Sequence, residues 1–486
     1  MISFIQNTYL YFKLCWNVRK YYNYYNEFNQ HNIDLLKNIT NSITECGAVA
    51  IKCCQWVTPK LELIYLDSNT ILTEEDKPDW LLHLEEYYEN CPNHSEDYTL
   101  QEYQRVFGEN MNDTYLTEKV IGSGSIGQVY LLKQKLTGEE CVMKILHPNV
   151  KDKVIFFRRF MKLLLLFPCI QKIRNQYFPF DIFQFINQFE EQTNLIYETN
   201  HILHFQKEYS ENEFVVIPRP IKISDNILIM SYEPGVSFDN CDLNEYQKEK
   251  LANLYHLFIR NNQLIRNYSH GDLHPGNWKV RTEDNKHKMV VYDFGFCWKI
   301  PHETFLQLNT LFMDTFEESN RQNNTVSIKN LCRITYLIVL YEGQDKETEY
   351  KDRISHFVTH EVENLEPWKL SPIVLLKTII QFCIQESLLI DPIAVQGFIT
   401  MIQGQKIFEK YGLMASDKRY ISDYEVFRER YLSILTFCKT YDIFPGYSEY
   451  IEGKLNDKQL KIDTIFDTVE MDDSIKELAL QSIIKI

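Results

Sequence analysis

The 486-residue sequence holds no CxxC pair, no run of basic residues and no long apolar stretch. Each absence removes a class of function. Its 12 cysteines are scattered, and only Cys53 and Cys54 are adjacent. A chain this long builds a core without covalent staples, so the pattern predicts reduced thiols in an intracellular compartment rather than a secreted disulfide framework. Lys and Arg number 51 against 67 Asp and Glu, giving a formal charge of −16. Nucleic-acid phosphates repel such a chain unless it carries a local basic patch, and no Lys/Arg run supplies one, so nucleic acid is not an expected partner. The longest charge-free run, Pro392 to Gln405, falls short of the ~20 residues that span a bilayer. It reads as a buried helix, and no transmembrane span is expected. The N-terminal MISFIQNTYLYFKLCWNVRKYYNYYN lacks the compact apolar core and small-residue cleavage site of a signal peptide. A packed helix is expected there, with an interfacial membrane anchor as the sharper alternative.

What is present falls into three stretches. Residues 1–115 read as a helical extension, with apolar positions such as Leu81, Leu82 and Leu84 and turn signals at Pro59, Pro78 and Pro92-Asn93. The period changes over 116–235. Val120-Ile121, Val129–Leu132 and Cys141–Met143 read as three short strands, the last two joined by a turn at Thr137-Gly138. A helical stretch runs from about Lys151 to Tyr209, followed by strand candidates at Val215–Ile217 and Ile227–Met230. Residues 236–486 read as a large helical lobe, interrupted by SHGDLHPGN and VVYDFG, with a loop at 320–325.

The chemistry lies in those interruptions and in one loop. Val120-Ile-Gly122-Ser-Gly124-Ser-Ile-Gly127-Gln128 places three glycines between two strands, and a backbone without Cβ atoms approaches phosphates closely. A dinucleotide-binding GxGxxG needs a helix directly after the loop, whereas Val129-Tyr130-Leu131 continues as a strand. The whole loop, Val120, Ile121, Gly122, Ser123, Gly124, Ser125, Ile126, Gly127 and Gln128, is therefore the expected nucleotide cradle. Lys144 ends an apolar strand one hairpin later and is placed to pair with phosphates. It needs a carboxylate to hold it: Glu198 on the following helix is the first candidate, with Glu190 and Glu191 as rivals. In His270-Gly-Asp272-Leu-His274-Pro-Gly-Asn277, Asp272 and Asn277 stand five apart, and Asp293-Phe-Gly follows. That spacing suits an Asp that orients an acceptor hydroxyl, with Asn277 and Asp293 as oxygen ligands for Mg²⁺. His270 and His274 as a metal pair is the weaker reading, since no third soft ligand is near.

An A-P-E motif, the end of a peptide-gripping activation segment, does not follow at a suitable distance. Phe296–Pro301 leads almost at once into a helical pattern. The predicted fold is α+β: a bilobal protein-kinase-like fold with an N-terminal helical extension and an enlarged helical C-lobe.

Several features together resemble the UbiB-like, aarF-domain (ADCK) atypical kinases. Lys52-Cys-Cys-Gln55 looks like the K-x-G-Q motif of that family's extension, and Leu84 through Gly108 like the stretch that follows it. Ser125–Val129, Lys144 with His147–Val150, His270–Asn277 and Asp293-Phe-Gly match the family's remaining motifs in order. The resemblance implies that Lys52 and Gln55 fold over the active site and block protein substrates. It further implies ATP hydrolysis, or phosphorylation of a small-molecule or lipid-like acceptor, with peripheral membrane contact. Three departures stand out. The K-x-G-Q glycine is Cys54. The family's E-x-D falls on Gln192-Thr193-Asn194. Gly122 and Gly124 stand where relatives usually carry alanine. Small-molecule kinases of the aminoglycoside or choline type share HGDxHxxN but lack SIGQV and the extension motif. A nucleotide-binding pseudokinase is disfavoured by the presence of Lys144, Asp272, Asn277 and Asp293 together.

Overall fold

Alternating apolar positions from Tyr115 to Leu146 build the first sheet. In the computed structural model β1 (Tyr115–Ser123), β2 (Gly127–Gln134) and β3 (Glu140–Leu146) form an antiparallel meander. β2 and β3 are buried on both faces and β1 is a largely exposed edge. The structure describes residues 2–28, 33–65, 78–85, 91, 93–284, 286–308, 324–340, 347–362, 372–411, 434–441 and 443–457. Gly138 takes φ +77° in the β2–β3 turn, the left-handed backbone that glycine adopts without strain.

Before the sheet come α1 (Ile2–Phe28), α2 (Ile33–Cys46), α3 (Ala48–Tyr65), α4 (Asp79–Glu85), α5 (Glu96–Phe107) and α6 (Met111–Thr114). Pro59 does not make a turn: it lies inside α3. Proline there removes one amide donor from the helix. Around it Thr58 Oγ1 donates to the Cys54 carbonyl at 2.9 Å, and Lys60 Nζ donates to the Trp56 carbonyl at 3.0 Å. Pro78 sits at the start of α4, whereas Pro92 lies outside the described residues.

The expected single helical stretch after β3 is four helices: α7 (Val150–Leu164), α8 (Pro168–Tyr177), α9 (Ile182–Gln192) and α10 (Leu195–Glu208). Gln192-Thr193-Asn194 forms the α9–α10 corner, where the Asn194 side chain caps α10 by accepting from the Ile196 amide. β4 (Val215–Val216) does not join the Ile227 strand. β5 (Pro220–Ile223) intervenes, and β6 (Ile227–Ser231) pairs with β3 and β5, completing a sheet of order β1-β2-β3-β6-β5. β4 pairs in parallel with a strand far along the chain. α11 (Glu245–Arg260), opened by an Asn244/Gln247 capping box, leads through a π-helical turn (Asn261–Arg266) to β7 (Ser269–His270). The hairpin of β8 (Trp278–Glu283) and β9 (Lys286–Val291) then joins β4. β10 (Cys297–Trp298) pairs back onto β7. Residues 302–308 are helical, as are Asn324–Ile338, Glu347–Val362, Pro372–Glu386 and Pro392–Tyr411. Asn324 and Thr325 thus start a helix instead of closing a loop; residues 320–323 lie outside the described set. Tertiary packing of the Leu331, Ile334 and Ile338 face outweighs the local polarity there.

One core, with Tyr103, Tyr130, Leu132, Met143, Ile145 and Ile229, joins the first sheet to α5. A second joins α1–α3 to α7–α9 and the later helices, with Trp56 against Phe185 at a ring-centroid distance of 4.7 Å. Contacts divide the chain into two units, Met1–Ser422 and Asp423–Ile486. In the second, residues 434–441 and Pro445–Asp457 are helices tied by Lys439 Nζ to Glu452 at 3.0 Å.

Candidate active site

Lys144 projects from β3 into a carboxylate cluster. Its Nζ donates to Glu198 Oε1 at 3.0 Å and Oε2 at 2.8 Å, and to Asp293 Oδ1 at 2.8 Å. Of the three carboxylates considered for this lysine, Glu198 alone is in reach. Glu190 pairs with Arg158 and Glu191 faces solvent. The Glu198 side chain is 2 % exposed and sits in the first turn of α10. Burial pushes its carboxyl up, and Lys144 pulls against that rise. For Lys144, burial favours the neutral amine, but Asp293 and Glu198 outweigh it and hold the ammonium above its ordinary range. Burial also works against the Asp293 carboxylate; Lys144 overcomes it and holds the group well below the usual carboxylate range.

Two backbone devices present these groups. Asp293 takes φ +51°, a left-handed conformation uncommon outside glycine, stabilised as Oδ1 accepts from the Gly295 amide at 3.3 Å. Phe294 points inward, 1 % exposed, against Phe205 and His270. Its carbonyl accepts from His201 Nδ1 at 2.8 Å, so the helix carrying Glu198 is bolted to the segment carrying Asp293. His201 carried no signal in the sequence beyond its place one turn after Glu198.

The loop at Asp272 is organised by histidines used as scaffold. His270 Nε2 donates to the Tyr292 carbonyl at 3.0 Å while Nδ1 accepts from the Asp272 amide at 3.3 Å, which settles the neutral tautomer. His274 Nδ1 accepts from the Gly276 amide at 3.1 Å. Both rings are thus engaged with backbone, and no cluster of metal-ligating side chains occurs among the described residues. Asn277 Nδ2 donates to the Asp272 carbonyl at 2.8 Å, so its side-chain oxygen is the atom left for a ligand.

Lys52 reaches this loop from α3. Its Nζ lies 3.4 Å from Asp272 Oδ2. Burial raises the Asp272 carboxyl, and Lys52 and His274 together bring it below its ordinary value. Gln55 lies one turn further along α3, half-buried. Cys54 occupies a regular helical position, its Sγ 3.8 Å from Thr58 Oγ1, and burial pushes its thiol up to about 11.

The glycine loop is tied down. The Gly124 amide donates to the Gly127 carbonyl at 3.0 Å, the His147 amide to the Ile126 carbonyl at 2.8 Å, and the Cys91 amide to the Ser123 carbonyl at 3.1 Å. Val120 and Ile121 are exposed, and Ser125 is buried. Gln128 does not face the loop's open side. It is 1 % exposed, taking the His94 amide on Oε1 at 2.9 Å and donating through Nε2 to Tyr130 Oη at 2.7 Å. Gln128 and Tyr130 are two apart on one strand and share the inner face, a signal the period-two rule contains.

His94 Nδ1 lies 2.8 Å from His147 Nδ1, and His147 Nε2 lies 2.9 Å from the Gly124 carbonyl. A carbonyl only accepts, so His147 carries its proton on Nε2 and accepts at Nδ1 from His94. His94 Nε2 then accepts from Thr99 Oγ1 at 3.0 Å, and Thr99 accepts from Tyr130 Oη at 2.8 Å. This directed chain of neutral groups connects the extension to the glycine loop.

Residues 87–327 match the ABC1 atypical kinase-like domain. The chain is 29% identical over 256 residues to a probable serine/threonine-protein kinase, abkC, of Dictyostelium discoideum, covering 51% of this chain and 35% of that one. It is 29% identical over 192 residues to the probable protein kinase UbiB of Shewanella loihica, covering 37% of this chain and 33% of the relative. The chain thus spans about a third of the length of these curated relatives. The solved complex of Rv3197 with erythromycin from Mycobacterium tuberculosis superposes at TM-score 0.42 with 15% identity, over 66% of this chain and 83% of that one.

Proposed function

Because the chain belongs to the ABC1 atypical kinase-like family, we propose that it binds ATP with Mg²⁺ between Lys144 and the Asp272–Asp293 region. It passes the terminal phosphoryl group to water or to a small-molecule or lipid-like acceptor. The observation that carries this reading is the Lys144–Glu198–Asp293 cluster, assembled from β3, α10 and the segment after β9. In this reading Lys144 holds phosphate oxygens while Glu198 keeps its ammonium in place. The donor set near Asp293 fits a hard cation: an ionised carboxylate and the Asn277 amide oxygen, two protein oxygens being typical for Mg²⁺ shared with phosphates and water. Bound there, the ion supplies neutralisation of phosphate charge. Asp272, held ionised, orients the acceptor hydroxyl. That hydroxyl has to displace or share the Lys52 ammonium, which favours a small acceptor over a peptide.

Thermal unfolding with ATP tests the proposal. A ligand at 100 times its Kd stabilises a fold by about 2.7 kcal/mol. Wild type is expected to gain stability with ATP and gain more with Mg²⁺ added. Lys144→Met should lose most of the ATP effect and Asp293→Asn the Mg²⁺ increment. Equal shifts in wild type and both variants contradict the proposal.

A further inference from the structure

Asp272 follows a glycine, and packing demands that glycine. Gly271 is buried, with the Phe296 and Trp298 rings against it. A Cβ there would stand 2.6 Å from two Phe296 ring carbons and 2.9 Å from Trp298 Cδ1. The same indole reaches the Pro392–Tyr411 helix at its far end. Its Cη2 and Cζ2 lie 3.2 and 3.4 Å from where a Cβ on Gly397 would be. Two glycines thus let one ring lie between the Asp272 loop and that helix. The Trp298 indole N–H is buried with no acceptor among the described residues, so packing alone places the ring.

The consequence falls on the backbone beside Asp272. Glycine leaves φ and ψ freer than any other residue, and rotation at Gly271 re-aims the Asp272 carboxylate. Hydrogen bonds remove that freedom. The Gly271 amide donates to the Phe296 carbonyl at 2.8 Å, and the Asp272 amide to His270 Nδ1 at 3.3 Å. The Asp272 carbonyl accepts from Asn277 Nδ2 at 2.8 Å. The remaining group, the Gly271 carbonyl, accepts from Gln396 Nε2 at 2.7 Å, a bond that comes from 125 residues away. Gln396 immediately precedes Gly397, whose carbonyl accepts from Gln263 Nε2 of the π-helical turn at 3.2 Å. The charge-free run Pro392–Gln405 therefore does more than fill a core. Resting on the phosphoryl-transfer reading, we propose that Gln396 is a positioning residue for the reaction. Acting through the Gly271 carbonyl and braced by Trp298, it holds the Asp272 carboxylate at the angle from which it meets the acceptor hydroxyl. Water can satisfy a carbonyl that loses its partner, but it does not fix the peptide plane.

Gln396→Met keeps the side-chain length and the helix propensity and removes the donor. Gln396→Glu, which turns an oxygen on the carbonyl, is the second variant and should read the same. Two measurements on the full chain are needed. Amide exchange over residues 269–277 reads the loop without any turnover, and it is expected to quicken in both variants at an unchanged urea midpoint. Steady-state ATP hydrolysis with Mg²⁺ should show kcat lowered about tenfold to a hundredfold at unchanged KM for ATP, since a misplacement of about 1 Å at a reacting group costs on the order of a hundredfold. Trp298→Leu should split kcat from KM in the same way. In an Asp272→Asn background Gln396→Met should cost nothing further, because the carboxylate it aims is gone; a merely structural role lowers both backgrounds alike. Unaltered exchange over 269–277, a raised KM with kcat kept, or an equal loss in the Asp272→Asn background overturns the inference. Quickened exchange in a chain whose wild type hydrolyses no ATP upholds the clamp on Asp272 and puts the failure in the phosphoryl-transfer reading.

Discussion

Adding one methyl group at Gly127 and one at Gly122 should give results that differ sharply in stability, though both residues belong to one loop. A Cβ at Gly127 would stand 2.4 Å from the Ile145 carbonyl oxygen and 3.1 Å from its carbon. Those atoms are backbone of β3, which pairs with β2 on one side and β6 on the other, so they cannot yield without disturbing the sheet. Overpacking of this kind destabilises by about 1–3 kcal/mol. A Cβ at Gly122 meets nothing within 4 Å, and Gly122 is not among the positive-φ glycines. Gly→Ala at a compatible position stabilises by about 0.4–1 kcal/mol through the unfolded chain. Urea unfolding of Gly127→Ala and Gly122→Ala against wild type measures both, and at this chain length each kcal/mol moves Tm by only about 1 °C. Amide exchange should quicken along β2 and β3 in Gly127→Ala alone. Equal stability of the two variants, or a stable Gly127→Ala with a slow-exchanging sheet, refutes the packing argument.

Gly122→Ala with Gly124→Ala adds no steric conflict in the fold, so its effect should appear in nucleotide binding: calorimetry is expected to find ATP or ADP affinity altered at a Tm no lower than wild type, and no change in either affinity would remove any role for these glycines. Burial and the neighbouring His147 push His94 down to about 4, and burial also lowers His147. With folded values below the ordinary ~6.5, the neutral pair is stabilising above that pH and loses about 1.4 kcal/mol per unit as pH falls towards 4. The stability difference between wild type and His94→Asn should therefore shrink in urea melts between about pH 7 and 5; a constant difference counts against the directed pair. Lys60 is 1 % exposed with its ammonium 4.1 Å from the Trp56 ring centre, and burial pushes it down to about 7. Its charged form is penalised in the fold, and the penalty fades as pH rises towards the ordinary ~10.4. Lys60→Met should stabilise at neutral pH and less so near pH 9, and a destabilised variant at neutral pH would show that the carbonyl and ring contacts outweigh the desolvation.

Local order was readable where residue pattern and backbone demand coincide. The apolar alternation over 115–146, the Thr137-Gly138 turn and the positions of Asp272, Asn277 and Asp293 follow from short-range rules. Pro59 misled because helix packing on the core outweighs one lost amide donor. Gln128 holds a motif position of the expected nucleotide cradle, yet its strand parity turns it inward to Tyr130. The parallel pairing of β4 with β9 and the His201–Phe294 bond depend on segments about 74 and 93 residues apart, beyond any local period. Lys52 beside Asp272 is a contact across 220 residues, which resemblance implied and no periodicity contains.

The central claim is that Asp272, Asn277 and Asp293 handle ATP with Mg²⁺. Single-turnover hydrolysis of ATP by the full chain, with and without Mg²⁺, tests it most directly in wild type, Asp293→Asn and Asp272→Asn. The account predicts Mg²⁺-dependent turnover in wild type and its loss in Asp293→Asn, with nucleotide binding retained in Asp272→Asn. Turnover that persists undiminished in Asp293→Asn would contradict it.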